Sequence, residues 1–244
     1  MSSPLVFEPI AIIHSGYKEK FGIPRQPGLA VSMTATVELL PPYNSADAVR
    51  GLEQCSHIWL LFIFSACVDK GWSPLVRPPR LGGNEKLGVF ASRSPFRPNP
   101  IGLSPVKLEG IRCEGSQVFL DVSGADLLDQ TPIVDIKPYL PYSDSLPQAE
   151  YDIAPQIDML KLPVQFSATA QAALERHSNR LKQPLQQQIE EVLRCDPRPA
   201  YHKQKAQQRT YGIRLHDLNI RWEVNAQAIL VSQIDINPDD DLKA

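Results

Sequence analysis

Three prolines, Pro95, Pro98 and Pro100, fall within six residues and constrain this chain more than any other feature. They sit in the run Gly88-Val89-Phe90-Ala91-Ser92-Arg93-Ser94-Pro95-Phe96-Arg97-Pro98-Asn99-Pro100-Ile101-Gly102. Each fixes φ and removes a backbone donor, so the run can be neither a helix interior nor a central strand. The preceding residues, Ser94, Arg97 and Asn99, are driven toward extended geometry. The sequence therefore predicts a rigid loop that displays Arg93, Arg97 and several small polar groups, with glycines on both sides that let other backbone come close. Groups on stiff backbone lose little entropy when they grip a ligand. Composition alone is equally compatible with a plain proline-stiffened connection between two strands.

Around this loop the first half of the chain reads as β structure. Short apolar runs at 7–13, 35–40, 58–64, 87–91, 105–111 and 117–122 are separated by Gly, Pro, Asn or Asp clusters, spacing that suits a sheet closed into a barrel or folded as a sandwich. Residues 44–52 read as one short helix capped by Ser45. Pro141, Pro147, Pro155 and Pro163 interrupt any regular element, which predicts a linker. Beyond it, helices are expected over 167–176 and 185–195, then strands over 211–215 and 220–224, with a third over 228–236. The expected fold is mainly β. An N-terminal β-barrel domain (1–145) is joined by a linker (146–164) to a small α+β domain (165–236), and an acidic tail (237–244) follows.

With 244 residues, 43% of them hydrophobic, a sizeable core is available. No apolar run is long enough to cross a membrane as a helix, and Met1-Ser2-Ser3-Pro4 carries no basic-then-apolar leader, so a cytoplasmic protein is expected. Cys55, Cys67, Cys113 and Cys195 lack CxxC spacing and read as core or incidental thiols, with no zinc site. The net charge of −2 argues against coating nucleic acid by bulk charge, but two segments are locally basic. Residues 77–97 set Arg77, Arg80, Lys86, Arg93 and Arg97 against Glu85, a balance of +4. Residues 194–222 carry seven cations against Asp196 and Asp217, a balance of +5. Basic segments on an otherwise acidic body present a local face for phosphates.

The familiar phosphate and hydrolase motifs are absent: no GxGxxG, no Walker loop, no GxSxG, no HExxH. A cofactor would have to be held by loops of the β domain. Ala125-Asp126-Leu127-Leu128-Asp129-Gln130-Thr131-Pro132 offers two carboxylates in what reads as an Asx-type turn. Asp135-Ile136-Lys137-Pro138-Tyr139 sets an acid, a base and an aromatic ring beside a proline. Either Tyr139 or Phe96 is suited to stack on a splayed RNA base. Arginine and lysine at 97 and 137 suit a carboxylate or phosphate. His57, at the head of an apolar strand, reads as a structural hydrogen-bonding residue rather than a base.

The proline loop resembles the signature loop of the TrmO family of S-adenosylmethionine-dependent tRNA methyltransferases, also known as TsaA/YaeB. Further pieces match in order: Tyr17-Lys18-Glu19-Lys20-Phe21, Pro24-Arg25-Gln26-Pro27-Gly28, Ser56-His57-Ile58-Trp59, Arg77-Pro78-Pro79-Arg80, the 126–139 segments above, and Asp196-Pro197-Arg198-Pro199-Ala200-Tyr201. The resemblance spans roughly residues 5–232. It implies an S-adenosyl-L-methionine cofactor bound by Pro24, Arg25, Gln26, Ser65, Ala66, Arg93, Asp126, Leu127, Leu128 and Asp129. Ser65-Ala66 replaces the His-Gln pair of close members, so backbone contacts are expected there. It further implies that Arg97, Lys137, Tyr139, Arg198 and Tyr201 meet a tRNA carrying threonylcarbamoyladenosine beside the anticodon, that the second domain assists tRNA binding, and that the protein is a homodimer. Methylating an exocyclic nitrogen requires an acceptor for its proton, and Asp126, Asp129 and Asp135 are the candidates. A protein that binds S-adenosylmethionine as a signal and transfers nothing is the alternative, and an RNA-binding barrel without cofactor is another.

Overall fold

Alternate residues of the short strands point inward. In β2 (Thr34–Leu39) Ala35, Val37 and Leu39 are buried, and in β3 (His57–Ile63) Ile58, Leu60 and Phe62 are. Six such strands close on themselves in the computed structural model, which describes residues 6–78, 85–152, 159–199 and 209–238. The barrel order is β1 (Ala11–Ser15), β2, β7 (Gln117–Ser123), β6 (Ile101–Glu114), β3, β8 (Thr131–Pro138), every neighbour antiparallel. Closure removes the exposed edges an open sheet would carry.

Several expectations on the barrel are corrected. β6 is longer than the apolar run 105–111 and contains Pro105, because its two sides pair with different partners: 101–107 with β3 and 107–114 with β7. Pro105 therefore lies where only one edge is bonded, and the missing donor is tolerated. β8 is hidden in the sequence because Pro132 and Pro138 sit near its ends. The apolar run 87–91 divides into β5 (Leu87–Gly88), paired with β4 (Leu75–Val76), and a 3-10 turn Val89–Ala91. The expected helix over 44–52 is two 3-10 turns, Ala46–Val49 and Leu52–Gln54. Ser45 caps the first through Asp47 N, and Gly51, at φ 90°, breaks the continuity. The proline-rich linker opens with a single helical turn, α1 (Pro141–Asp144).

The second unit is a four-stranded sheet, β10 (Tyr211–Leu215), β11 (Leu218–Val224), β12 (Ile229–Ile236) and β9 (Val164–Phe166), covered by α2 (Ala168–Leu181) and α3 (Leu185–Arg194). Ser167 caps α2 by accepting from Ala170 N. The helix continues past Arg176 because His177 falls on the buried face, and it ends at Lys182 in the left-handed region, φ 52°. In α3, Leu185, Gln188, Ile189, Val192 and Leu193 recur at helical spacing and are buried.

The two units share one segment. Residues 16–33, between β1 and β2, contribute Tyr17, Ala30 and Met33 to the core of the second unit, with Phe21 and Ile23 packed against it. This strap is sewn down by His216 N to the Gly16 carbonyl at 2.7 Å, Arg214 N to Glu19 at 3.0 Å, and a Tyr17–Leu215 bridge. Glu191 on α3 accepts from both Ser32 N (2.8 Å) and Ser32 Oγ (2.7 Å). Removing that carboxylate leaves two part-buried donors without their acceptor, so Glu191→Ala is expected to cost about 1–3 kcal/mol in urea denaturation, with Glu191→Gln recovering most of it.

Candidate functional site

The connection from β7 to β8 has to cross the barrel end, because these strands are not neighbours. It drops Ala125 and Leu127 into the barrel core and leaves Asp126 and Asp129 at the rim. Gly124 starts the crossing at φ 72°, a left-handed conformation that favours glycine, and the Gly28 N–H donates to its carbonyl at 2.8 Å. The front of the strap thus lies on the turn.

Hydrogen bonds bring the remaining loops to the same rim. Arg93 Nη1 donates to Gln26 Oε1 at 2.6 Å, tying the proline loop to the strap. Lys20 Nζ donates to the Ala66 carbonyl at 2.6 Å, tying in the 3-10 turn Ser65–Lys70 that follows β3. Pro24 is buried, Gln26 half-buried and Arg25 exposed on the strap between these ties. At the loop exit, Gly102 lies under the Phe62 ring so closely that any side chain would overlap it. The ten residues expected to hold a cofactor therefore come from four segments that meet at one end of the barrel.

The two turn carboxylates have different fates. Asp129 is committed to structure: Oδ1 accepts from Ser15 N (2.9 Å) and Oδ2 from Lys18 Nζ (2.6 Å), while its own N–H donates to the Tyr17 carbonyl. Asp126 Oδ1 accepts from Ser104 Oγ at 2.5 Å. Burial pushes the Asp126 carboxyl above the usual carboxylate range, against the Ser104 hydrogen bond and the nearby Arg93 charge, both of which pull it down. Asp135, the third candidate acceptor, is paired with Lys137 at 2.7 Å. Tyr17 projects from the strap with a buried hydroxyl that has no hydrogen-bond partner among the described residues. Burial, then Cys195, Asp126 and Glu191, hold its phenol above the usual value.

The residues expected to meet the substrate separate in space. Arg97 lies in the proline loop, with Nη1 donating to the carbonyls of Ser92 (2.7 Å) and Val89 (3.1 Å). These acceptors are neutral, so they orient the guanidinium without cancelling its charge. Lys137 and Tyr139 stand at the opposite rim, where Tyr139 N donates to the His57 carbonyl and the ring packs 5.5 Å from Trp59. The seven residues of β3, about 20 Å, separate them from Ser65 and Ala66. Arg198 pairs with Asp196 at 2.7 Å, both largely buried, just beyond Cys195. Tyr201 lies outside the described residues. Sequence reasoning missed Ser104 and Tyr17, since a lone serine inside a strand and an aromatic in a polar run give no signal of their neighbours. A groove of 460 Å³ where the barrel wall meets the second unit is lined by His14, Thr36, Asp121 and His216, which already bond to Glu38, Asp121, Arg112 and Gln188.

Comparison with known proteins bears on this arrangement. The family profile described as the tRNA-methyltransferase O N-terminal domain matches residues 12–145, and the TrmO C-terminal domain profile matches residues 160–237. A tRNA (adenine(37)-N6)-methyltransferase of Escherichia coli (strain K12) is 50% identical over 222 residues, covering 91% of this chain and 94% of that protein. A putative S-adenosylmethionine-dependent methyltransferase RcsF of Pseudomonas aeruginosa is 49% identical over 214 residues, 88% of this chain and 90% of its own length. A crystal structure of TrmO superposes with a TM-score of 0.79 at 41% identity, over 95% of this chain and 99% of that one.

Proposed function

The chain belongs to the tRNA-methyltransferase O family, and from that premise we propose that it methylates N6 of threonylcarbamoyladenosine at position 37 of tRNA, at the rim that gathers Gln26, Ser65, Arg93 and Asp126. It is an S-adenosylmethionine-dependent tRNA (adenine-N6)-methyltransferase. The single observation that carries the finer reading is the division of labour among the rim's charged groups: one carboxyl buried against Ser104 and raised by that burial, and one arginine oriented by neutral groups.

The residues present fit the cofactor. The Gln26–Arg93 pair, the Asp126 carboxyl and the backbone of 126–129 supply the donors and acceptors that an adenosine and an amino acid moiety require. Pro24, Arg25, Gln26, Ser65, Ala66, Arg93 and residues 126–129 are the proposed contacts. When bound, S-adenosylmethionine supplies a methyl group on a cationic sulfonium, so the protein needs no nucleophile of its own. What remains for the chain is alignment and a proton. Asp129 is committed to Ser15 and Lys18, and Asp135 to Lys137, which leaves Asp126 to take the proton from the exocyclic nitrogen as the new N–C bond forms. A carboxyl with a raised pKa is the stronger base for this task once ionised. Arg97, held by two neutral carbonyls and the Phe90 ring and by no carboxylate among the described residues, is placed to receive the threonyl carboxylate. Lys137, Tyr139, Arg198 and Tyr201 remain in this reading as contacts to the tRNA body. In this reading the protein works in the cytoplasm as a homodimer, the latter on family resemblance, and the division at 145 and 165 rests on the prolines that interrupt the stretch between the two units.

The test pairs methyl-labelled S-adenosylmethionine with one tRNA in two forms, with and without the threonylcarbamoyl group. Label is expected in the modified form alone. Equal labelling of both forms would sink the threonylcarbamoyl requirement and leave the methyltransferase standing.

A further inference from the structure

Beside the rim lies a lobe formed by residues 72–78 and 85–97. β4 pairs with β5, Ser73 N donates to the Phe96 carbonyl (3.3 Å), and Val89 N donates to the Pro74 carbonyl (3.0 Å). The lobe carries two aromatic rings in water: Phe90, 76% exposed, and Trp72, 56% exposed. Phe90 occupies the middle of the 3-10 turn Val89–Ala91 and is not a loose side chain. Arg97 lies 5.7 Å from its ring centroid and is itself fixed by the carbonyls on either side of that turn. The same surface and the adjoining turn carry Lys70, Arg77, Lys86, Arg93 and Arg97 against only Asp69 and Glu85. Among the described residues none of these five cations is held in an ion pair.

We infer that Phe90, supported by Trp72, is a stacking platform for an unpaired base of the tRNA anticodon loop, with Lys70, Arg77 and Lys86 on the neighbouring phosphates. The inference rests on the methyltransferase reading above. Exposed aromatic rings among cations that form no ion pair within the described residues match single-stranded nucleic acid: every base offers a π-face, and every nucleotide brings a negative charge. A second copy of this chain fits less well, because a two-fold contact would set this positive surface against itself. Of the two rings that the sequence offers for this role, Tyr139 is packed against Trp59 at the far rim and Phe96 is half-buried.

The experiment measures equilibrium binding of full-length tRNA and of S-adenosylmethionine to Phe90→Ala, Phe90→Leu, Phe90→Tyr and Trp72→Ala, each checked for assembly size by sedimentation. Phe90→Ala and Phe90→Leu are expected to bind tRNA about tenfold more weakly and Phe90→Tyr about as well as the wild type, all with unchanged cofactor binding and unchanged size. The leucine variant separates stacking from apolar burial. If it binds tRNA as the wild type does, the platform is overturned even though the wild type methylates tRNA. A drop in assembly size would overturn it in favour of a contact between copies. If the wild type neither binds nor methylates tRNA, the enzyme reading has failed and the platform fails with it.

Discussion

Asp126→Asn is expected to slow methyl transfer about a hundredfold at saturating cofactor and tRNA, the low end of what a positioned proton acceptor contributes, while leaving the protein no less stable at neutral pH. The two effects have one cause. Burial raises the Asp126 carboxyl above its ordinary value, so the folded state favours the protonated form. The stability this contributes is fully present below the usual carboxylate pKa, and it is lost as pH rises through the folded value, where a poorly hydrated carboxylate must be carried. Asparagine keeps an acceptor oxygen for Ser104 and never ionises, so that loss disappears. The wild-type rate should fall on the acid side as Asp126 takes up its proton, and the variant should show no such limb. Single-turnover rates and urea midpoints across pH test both. A rate within a few-fold of wild type, or an acid limb that survives the substitution, would remove Asp126 from the reaction.

Arg93→Ala is expected to weaken S-adenosylmethionine binding by about ten- to a hundredfold, the scale of a lost charge-assisted hydrogen bond of roughly 1.5–3 kcal/mol. Arg93 is the bridge from the proline loop to Gln26 on the strap, and its charge also lowers the Asp126 pKa. The variant should therefore show a second change: the acid limb of the rate moves to higher pH. Gln26→Ala breaks the same bridge and keeps the charge, so it should reproduce the binding loss without moving the limb. Calorimetric titration and pH–rate profiles separate the two. If Arg93→Ala binds cofactor as tightly as the wild type, the proline loop is not part of the cofactor site.

Where a residue's role is set by its immediate neighbours in the chain, the sequence is a good guide. Alternating apolar runs mark most barrel strands, Ser45 and Ser167 mark helical starts, and the spacing of Leu185, Ile189 and Val192 marks α3. Local chemistry misleads wherever pairing is one-sided: Pro105 is harmless in β6 because only one edge there has a partner. The site is legible as a set of loops but not as a set of roles. Asp126 and Asp129 look alike in a turn, and only the fold shows that one meets Lys18 and Ser15 while the other sits against Ser104. In that pair it is Asp129 that meets the lysine and Asp126 that meets the serine of β6. Lys137 and Tyr139 follow closely on the same turn in sequence, yet β8 carries them to the other rim.

The strap is a single stretch of chain whose side chains pack in one unit's core and whose front edge lies at the rim proposed here as the other unit's cofactor site. Free energy is therefore exchanged between the barrel mouth and the helices without any hinge or moving domain. A ligand that tightens Pro24–Gln26 from the barrel side makes Tyr17, Ala30 and Met33 harder to withdraw from the second unit's core, so a cofactor held as proposed is expected to protect that unit against unfolding. The coupling is reciprocal: whatever engages α2 or α3 and shifts the strap changes the affinity for cofactor by the factor that cofactor returns to it.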